Sequence, residues 1–258
     1  MAGLYYELHG AEDAPPLILS SGLGGSASYW TPNIPALAEH FRVIAYDHRG
    51  TGRSDPQLPE VVTVDDFADD MLKILDALDV ARAHVVGHAA GGVAALALAR
   101  MAPDRAGQIV AVNGWLHADA HFLRCFEARL NLLRHSGPEA FLRAQPIFLY
   151  PAPWISAHDA DLNSELVHQL AAFPGTDTME KRISALARFD AREWFHSIDR
   201  EILALAAADD MLVPWICSSE LAQANPCVVR RDLEYGGHAC NVTDPTTFNR
   251  IVLDFLRS

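Results

Sequence analysis

The chain has 258 residues, and 20 Lys+Arg against 33 Asp+Glu give a formal charge of −13. Half of it is hydrophobic and 21% is charged, which excludes a disordered chain and fits one sizeable domain. So acidic a chain repels phosphate backbones, and no apolar stretch reaches the roughly 18 residues of a membrane span, so neither nucleic acid nor membrane is expected as a partner.

Met1 to Gly10 has no basic stretch followed by an apolar run, so no secretory signal is expected. Leu17-Ile18-Leu19 reads as a strand ending in the glycine-rich Ser20-Ser21-Gly22-Leu23-Gly24-Gly25. Arg42 to Asp47 is a second strand, closed by His48-Arg49-Gly50-Thr51-Gly52-Arg53-Ser54. Val64 to Leu78 follows Thr63, a good N-cap, and sets Phe67, Met71, Ile74, Leu75 and Leu78 on one side of a helix. Ala83-His84-Val85-Val86 is a third strand, Gly91 to Met101 a helix that stops before Pro103, and Ile109 to Asn113 a fourth strand. Continuous apolar runs suit strands covered on both faces of a parallel sheet.

From His117 to Phe195 the rhythm changes to helical pattern without a strand. Phe122, Phe126, Leu130 and Leu133 recur at helix spacing, and Pro146, Pro151, Pro153 and Pro174 divide the stretch into short helices. It is several times longer than a crossover needs. Residues 117–196 are therefore expected to form a helical lid over the carboxyl edge of the sheet, with 1–116 and 197–258 as the core. Ile202 to Ala206 and Val228 to Leu233 complete the strands, and Asp244-Pro245 opens a helix to Leu256. Strand and helix in alternation mean an α/β open sheet with right-handed crossovers.

Cys125, Cys217, Cys227 and Cys240 lie far apart with no Cys-x-x-Cys pair, so free thiols in a reducing cytoplasm are expected. The twelve histidines show no metal-ligand spacing and no dinucleotide or Walker-type glycine loop is present, so neither metal nor cofactor is expected.

The informative stretch is Val85-Val86-Gly87-His88-Ala89-Ala90-Gly91-Gly92. Strand, glycine, two steps, glycine and helix are the context of a nucleophile elbow, in which a strained turn pushes one side chain outward. The outward position here is Ala89, and a methyl group attacks nothing. After the strand ending at Ala207 comes Ala208-Asp209-Asp210, and after the last strand comes Gly236-Gly237-His238. That is the chain order nucleophile, acid, histidine. Asp210 is the preferred acid for its spacing to Pro214, with Asp209 as fallback. The N–H groups of Leu23 and Ala90 would make an oxyanion hole. His88 beside the elbow either serves the pocket or only packs, and Trp115 either lines the pocket or caps the core. Cys240, near His238, reads more readily as a buried small hydrophobe than as a nucleophile.

With these pieces the chain resembles the α/β-hydrolase family over nearly its whole length, and the Asp47 to Ser54 loop is similar to that family's. The resemblance implies a mostly parallel, doubly wound sheet with a helical lid inserted after the sixth strand. A closer resemblance rests on Ser21 to Ser26, Asn113-Gly114-Trp115, Ala144-Gln145-Pro146 with Phe148 to Pro151, and Tyr235 to Pro245. It is to a subfamily of bacterial pyrimidine-utilisation proteins that also carries alanine at the elbow. This implies a hydrolase of a small C–N compound, carbamate or aminoacrylate, in uracil breakdown. The wider resemblance is to enol-lactonases and esterases, and the chain departs from them at Ala89.

Three readings of Ala89 stay open: a native residue, a serine replaced in a carboxylic-ester or enol-lactone hydrolase, or the mark of a non-catalytic small-molecule binder. In the first, the acyl-enzyme route is closed. His238 then acts as proton shuttle, Asp210 as its orienter, and the N–H groups of Leu23 and Ala90 as the oxyanion clamp. The expected partner is a small-molecule substrate, and an exposed apolar lid would point to a homodimer.

Overall fold

The computed structural model describes residues 3–258; Met1 and Ala2, part of the stretch read above for a signal, lie outside the described residues. The strands are β1 (Tyr6–His9), β2 (Pro16–Ser20), β3 (Arg42–Tyr46), β4 (Ala83–His88), β5 (Ala106–Val112), β6 (Ile202–Ala207) and β7 (Val228–Leu233). They form one seven-stranded sheet in the order β1-β3-β2-β4-β5-β6-β7. Only β1 is antiparallel, pairing Tyr6 with Tyr46 and His9 with Val43. The sheet is thus the mostly parallel, doubly wound one expected, with one edge strand that the sequence reading passed over.

The apolar runs are explained by what lies on each face. Successive strand side chains point to opposite faces. Ile18, Val85, Ile109 and Ile202 join one buried cluster, and Leu17, Val86, Val110 and Leu203 join another. The first cluster is covered by α2 (Val64–Ala77), α3 (Ala90–Met101) and α8 (Trp215–Ala224). The second is covered by α1 (Ile34–Ala38) and α10 (Pro245–Leu256), with Leu37, Phe248 and Val252 buried in it. At the start of α2, Asp66 Oδ2 accepts the N–H of Thr63 at 2.7 Å, the return half of a capping box. At the start of α10, Asp244 Oδ1 accepts the N–H of Thr247 at 3.1 Å, with Pro245 in the first helical position. A short α9 (Cys240–Thr243) precedes α10.

Between β5 and β6 the chain leaves the sheet as α4 (Ala120–Leu149), α5 (Ala152–Ala157), α6 (Asp159–Ala171) and α7 (Thr176–Ala187). The insertion follows the fifth strand rather than a sixth, since a single strand, β1, precedes β2 to β5. Its two ends are tied together: His117 bridges Asp190, and the N–H of Ala191 reaches the carbonyl of Leu116 at 2.7 Å.

Pro146, expected to divide this stretch, lies inside α4, and the break falls instead at Gly137, with φ of 85°. A left-handed residue followed by proline ends one helix and starts another. The two halves fold back on each other. Arg129 and Gln145 lie eight residues either side of Gly137, about 24 Å apart along a straight helix. Their side chains nevertheless meet at 3.3 Å.

Candidate active site

The elbow sits where β4 turns into α3. Ala89 has φ 48° and ψ −106°, a backbone that a residue with a side chain rarely adopts. Strain of this kind costs roughly 1–3 kcal/mol and survives only where the surroundings enforce it. Here the N–H of Ala89 is held by the carbonyl of Val112 at 2.8 Å. The flanking glycines are enforced by close approach. A Cβ on Gly87 would lie 2.3 Å from the carbonyl oxygen of Gly91, and one on Gly91 would lie 2.0 Å from that of Ser20. The glycine spacing therefore lets α3 press onto β2 and β4 while position 89 is pushed out at the strand end.

Asp210 and His238 come together at this edge. His238 Nδ1 lies 2.7 Å from Asp210 Oδ2, and both side chains are buried. The other carboxylate oxygen, Oδ1, accepts the N–H groups of Leu212 at 2.7 Å and Val213 at 3.0 Å. Four residues after the acid, Pro214 starts the turn into α8, which explains the spacing that singled out Asp210. Asp209, the fallback, is exposed and instead accepts the N–H of Gly237 at 2.8 Å, holding the histidine loop. The carboxylate leaves Nε2 of His238 as the free ring nitrogen.

His88 is buried beside this pair, its ring centre 4.6 Å from that of His238 and 4.9 Å from that of Tyr29. Its Nε2 lies 2.8 Å from the backbone carbonyl of His238, which Asn113 Nδ2 also reaches at 2.5 Å. The carbonyl accepts, so Nε2 of His88 carries the proton and Nδ1 is left bare. His88 thus fixes the backbone of His238, a positioning part beyond mere packing. Trp115 is buried in the first core cluster, 4.9 Å from Phe122, which is the core-capping alternative. Cys240 is fully buried and its thiol is pushed far up by burial, so it has no nucleophilic character.

Of the expected oxyanion donors, Ala90 directly follows the elbow residue as the first residue of α3, and Leu23 lies in the loop after β2. The N–H of Ala90 opens α3 and so has no intrahelical acceptor. The carbonyl of Leu23 is held by Arg182 of α7, through Nε at 3.2 Å and Nη2 at 3.0 Å. Arg182 also donates from Nη1 to the carbonyl of Arg49 at 3.2 Å and from Nη2 to Nδ1 of His48 at 2.9 Å.

Several residues of the site were not legible in the sequence. Tyr29 donates to Asn241 Oδ1 at 2.7 Å, and Asn33 Nδ2 reaches the Asn241 carbonyl at 3.0 Å and Asn249 Oδ1 at 2.9 Å. These bonds tie the loop after β2 to the segment after His238 across more than 200 residues. The one local signal was Asn113, an asparagine at a strand end before glycine; its φ is 50°.

Two cavities lie in the insertion, about 520 Å³ between α4 and α7 and about 180 Å³ between α4 and α6. Neither is lined by His238 or Asp210. Among the described residues no cluster suited to a metal ion occurs, and no helix is long and apolar enough to cross a membrane. All four cysteines are free thiols.

Burial, aided by Arg182 for His48 and by His238 for His88, holds both imidazoles well below their ordinary range. An unfolded chain takes up protons at these rings below about pH 6.5, and the folded one does not. Their contribution to stability is thus complete above that pH and is lost as pH falls. The slope is up to about 1.4 kcal/mol per pH unit for each ring. Thermal melts are expected to show a flat midpoint near neutrality that drops towards about pH 5. A midpoint that rises on acidification would contradict this.

The family described as alpha/beta hydrolase fold matches residues 15–150. The curated protein "Putative carbamate hydrolase RutD" of Caulobacter vibrioides (strain NA1000 / CB15N) is 51% identical over 256 residues, covering 98% of this chain and 95% of that protein. Its namesake in Serratia proteamaculans (strain 568) is 46% identical over 255 residues, covering 98% and 96%. Among solved structures, the enol-lactonase from Burkholderia xenovorans LB400 superposes with a TM-score of 0.89 at 26% identity, covering 99% of this chain and 96% of that one.

Proposed function

Since the chain belongs to the alpha/beta hydrolase fold family, with relatives named as carbamate hydrolases at 44–51% identity over nearly its full length, we propose that it hydrolyses a small C–N compound without a serine nucleophile. The observation that carries this reading is the buried His238–Asp210 pair, 2.7 Å apart beside an elbow whose outward residue is Ala89. The relatives' name points to carbamate. Aminoacrylate is the alternative of the same class, and breakdown of pyrimidine rings is a source of both.

Asp210 holds His238 with Nδ1 protonated and stabilises the imidazolium. From Nε2 the imidazolium gives a proton to the carbamate nitrogen. The C–N bond then breaks with its electron pair going to nitrogen, and ammonia and carbon dioxide leave; solvent returns the proton to the ring. For aminoacrylate the proton goes to the carbon next to the carboxylate. Water then adds at the resulting iminium carbon, and ammonia departs to leave an aldehyde. The N–H groups of Leu23 and Ala90 steady the negative oxygen, and residues 117–196 act as a lid over this edge. A serine protease stripped of one triad member keeps roughly 10³-fold over water. That is about 4 kcal/mol, enough for compounds that already decompose unaided. The free thiols suit a reducing cytoplasm.

The strained turn kept at Ala89 favours a second reading, an ester or enol-lactone hydrolase lacking its serine. Ammonia release from carbamate and aminoacrylate, measured for the unaltered chain, His238→Ala and Ala89→Ser, tests both. His238→Ala is expected to lose about 10²-fold or more in turnover. Unchanged turnover in that variant removes the mechanism. Strong aryl-ester cleavage by Ala89→Ser, with no ammonia from the unaltered chain, selects the second reading. Saturable ligand binding with no turnover by any form identifies a binder.

A further inference from the structure

Two arginines are buried in the helical insertion, and neither forms an ion pair among the described residues. Arg182 is satisfied by two backbone carbonyls and an imidazole nitrogen. Arg129, on α4, is not. It is 3% exposed, makes one long hydrogen bond from Nη2 to Gln145 Oε1 at 3.3 Å, and its Nε has no partner. Around it stand the rings of Phe126, Phe141 and Phe148, with centres 5.0, 5.1 and 5.4 Å from Cζ. Ring faces attract a cation but leave its N–H groups without strong acceptors. Burial lowers the guanidinium to about 10, so it still carries its charge at neutral pH.

The position of this cation is informative. Cys125, one helical turn before Arg129, has its Sγ 4.0 Å from the carbonyl of Met211, the residue after Asp210. On the other side Phe148 precedes Leu149, whose carbonyl accepts the N–H of Ala239, the residue after His238, at 2.9 Å. The hairpin of α4 thus carries an under-satisfied cation and touches both the acid loop, through Cys125, and the histidine loop, through Leu149. A buried charge is costly until it is paired, and among the described residues none pairs it.

We propose that Arg129 is an anion clamp for the substrate, taking the carboxylate of a short-chain amino-substituted acid through its open Nε–H and an Nη–H. A planar guanidinium matches the two oxygens of a carboxylate, and the weakly held Gln145 amide is readily displaced from Nη2. The inference rests on the reading above, in which the substrate is a small C–N compound, and adds that its anionic group is what the insertion recognises.

Acrylate, which has the carboxylate but no nitrogen to lose, is a probe that binds without reacting, and acrylamide is its neutral counterpart. Acrylate is expected to raise the melting temperature of the unaltered protein and acrylamide to leave it unmoved. Arg129→Met should weaken acrylate binding and raise KM for the C–N substrate by about 10- to 100-fold, with kcat much less affected. Arg129→Lys should recover part of both. Without ligand, Arg129→Met should melt no lower than the unaltered protein, because it removes an unpaired buried charge while keeping a side chain for the aromatic cage. Should Arg129→Met not fold, the Nε–H resonance of Arg129 in isotope-labelled unaltered protein decides: it moves with acrylate and not with acrylamide. Acrylate binding or KM unaffected by Arg129→Met overturns the clamp even if ammonia is released. Acrylate binding that depends on Arg129, without ammonia from either compound, retains the clamp and overturns the activity.

Discussion

Gly91→Ala is expected to cost about 3 kcal/mol of stability or more, the upper end of what overpacking produces. The added methyl would lie 2.0 Å from the Ser20 carbonyl oxygen and 2.5 Å from its carbon. Neither neighbour can rotate away, because Ser20 is the last residue of β2, a strand paired on both sides. The helix must therefore lift from the sheet, and the elbow at Ala89 goes with it. For a domain of this size the loss corresponds to a melting temperature lower by about 6–12 °C. Gly24→Ala is the control, since its added methyl meets nothing within 4 Å. Equal melting of Gly91→Ala and the control would show that α3 and β2 yield to each other, contrary to this packing.

Arg182→Met is expected to be comparably harmful and to act on the insertion. It leaves the carbonyls of Leu23 and Arg49 and Nδ1 of His48 without their donors in a buried space. Each buried unsatisfied group costs about 1–3 kcal/mol, part of which is regained by removing a buried charge. A net loss of about 3 kcal/mol is the expected outcome, with faster proteolysis across residues 117–196 as α7 comes free. The prediction is opposite in sign to that for Arg129→Met, although both residues are arginines buried in the same insertion. Identical melting curves for the two variants would deny that their partners set the difference.

Those two arginines mark a limit of reading from sequence. On an amphipathic helix an arginine reads as a solvated residue, and only the tertiary contacts of α4 and α7 bury it. Whereas the edge strand β7 showed only Val228-Val229 and Leu233 around charged residues, the five strands β2 to β6 were legible as apolar runs because both faces of a parallel sheet are covered there. Tyr6-Glu7-Leu8-His9 was not, since an antiparallel edge strand needs no such run, and Leu8 is exposed. Proline punctuation misplaced the break in α4, which a glycine in the left-handed region makes at residue 137. The elbow, the acid and the histidine were legible because glycine spacing and chain order are local features. Among their supports Asn113 alone gave a local signal; the bonds of Tyr29, Asn33 and Asn241 were not legible, because each acts on a partner far along the chain.

A turn of the kind that presents an attacking hydroxyl in a nucleophile elbow keeps its contorted shape at Ala89 with only a methyl at its tip. Alanine and serine codons can differ by a single base, so a hydroxyl at this tip is one point mutation away. Selection could cross between the two chemistries in either direction without rebuilding the sheet edge that both would share.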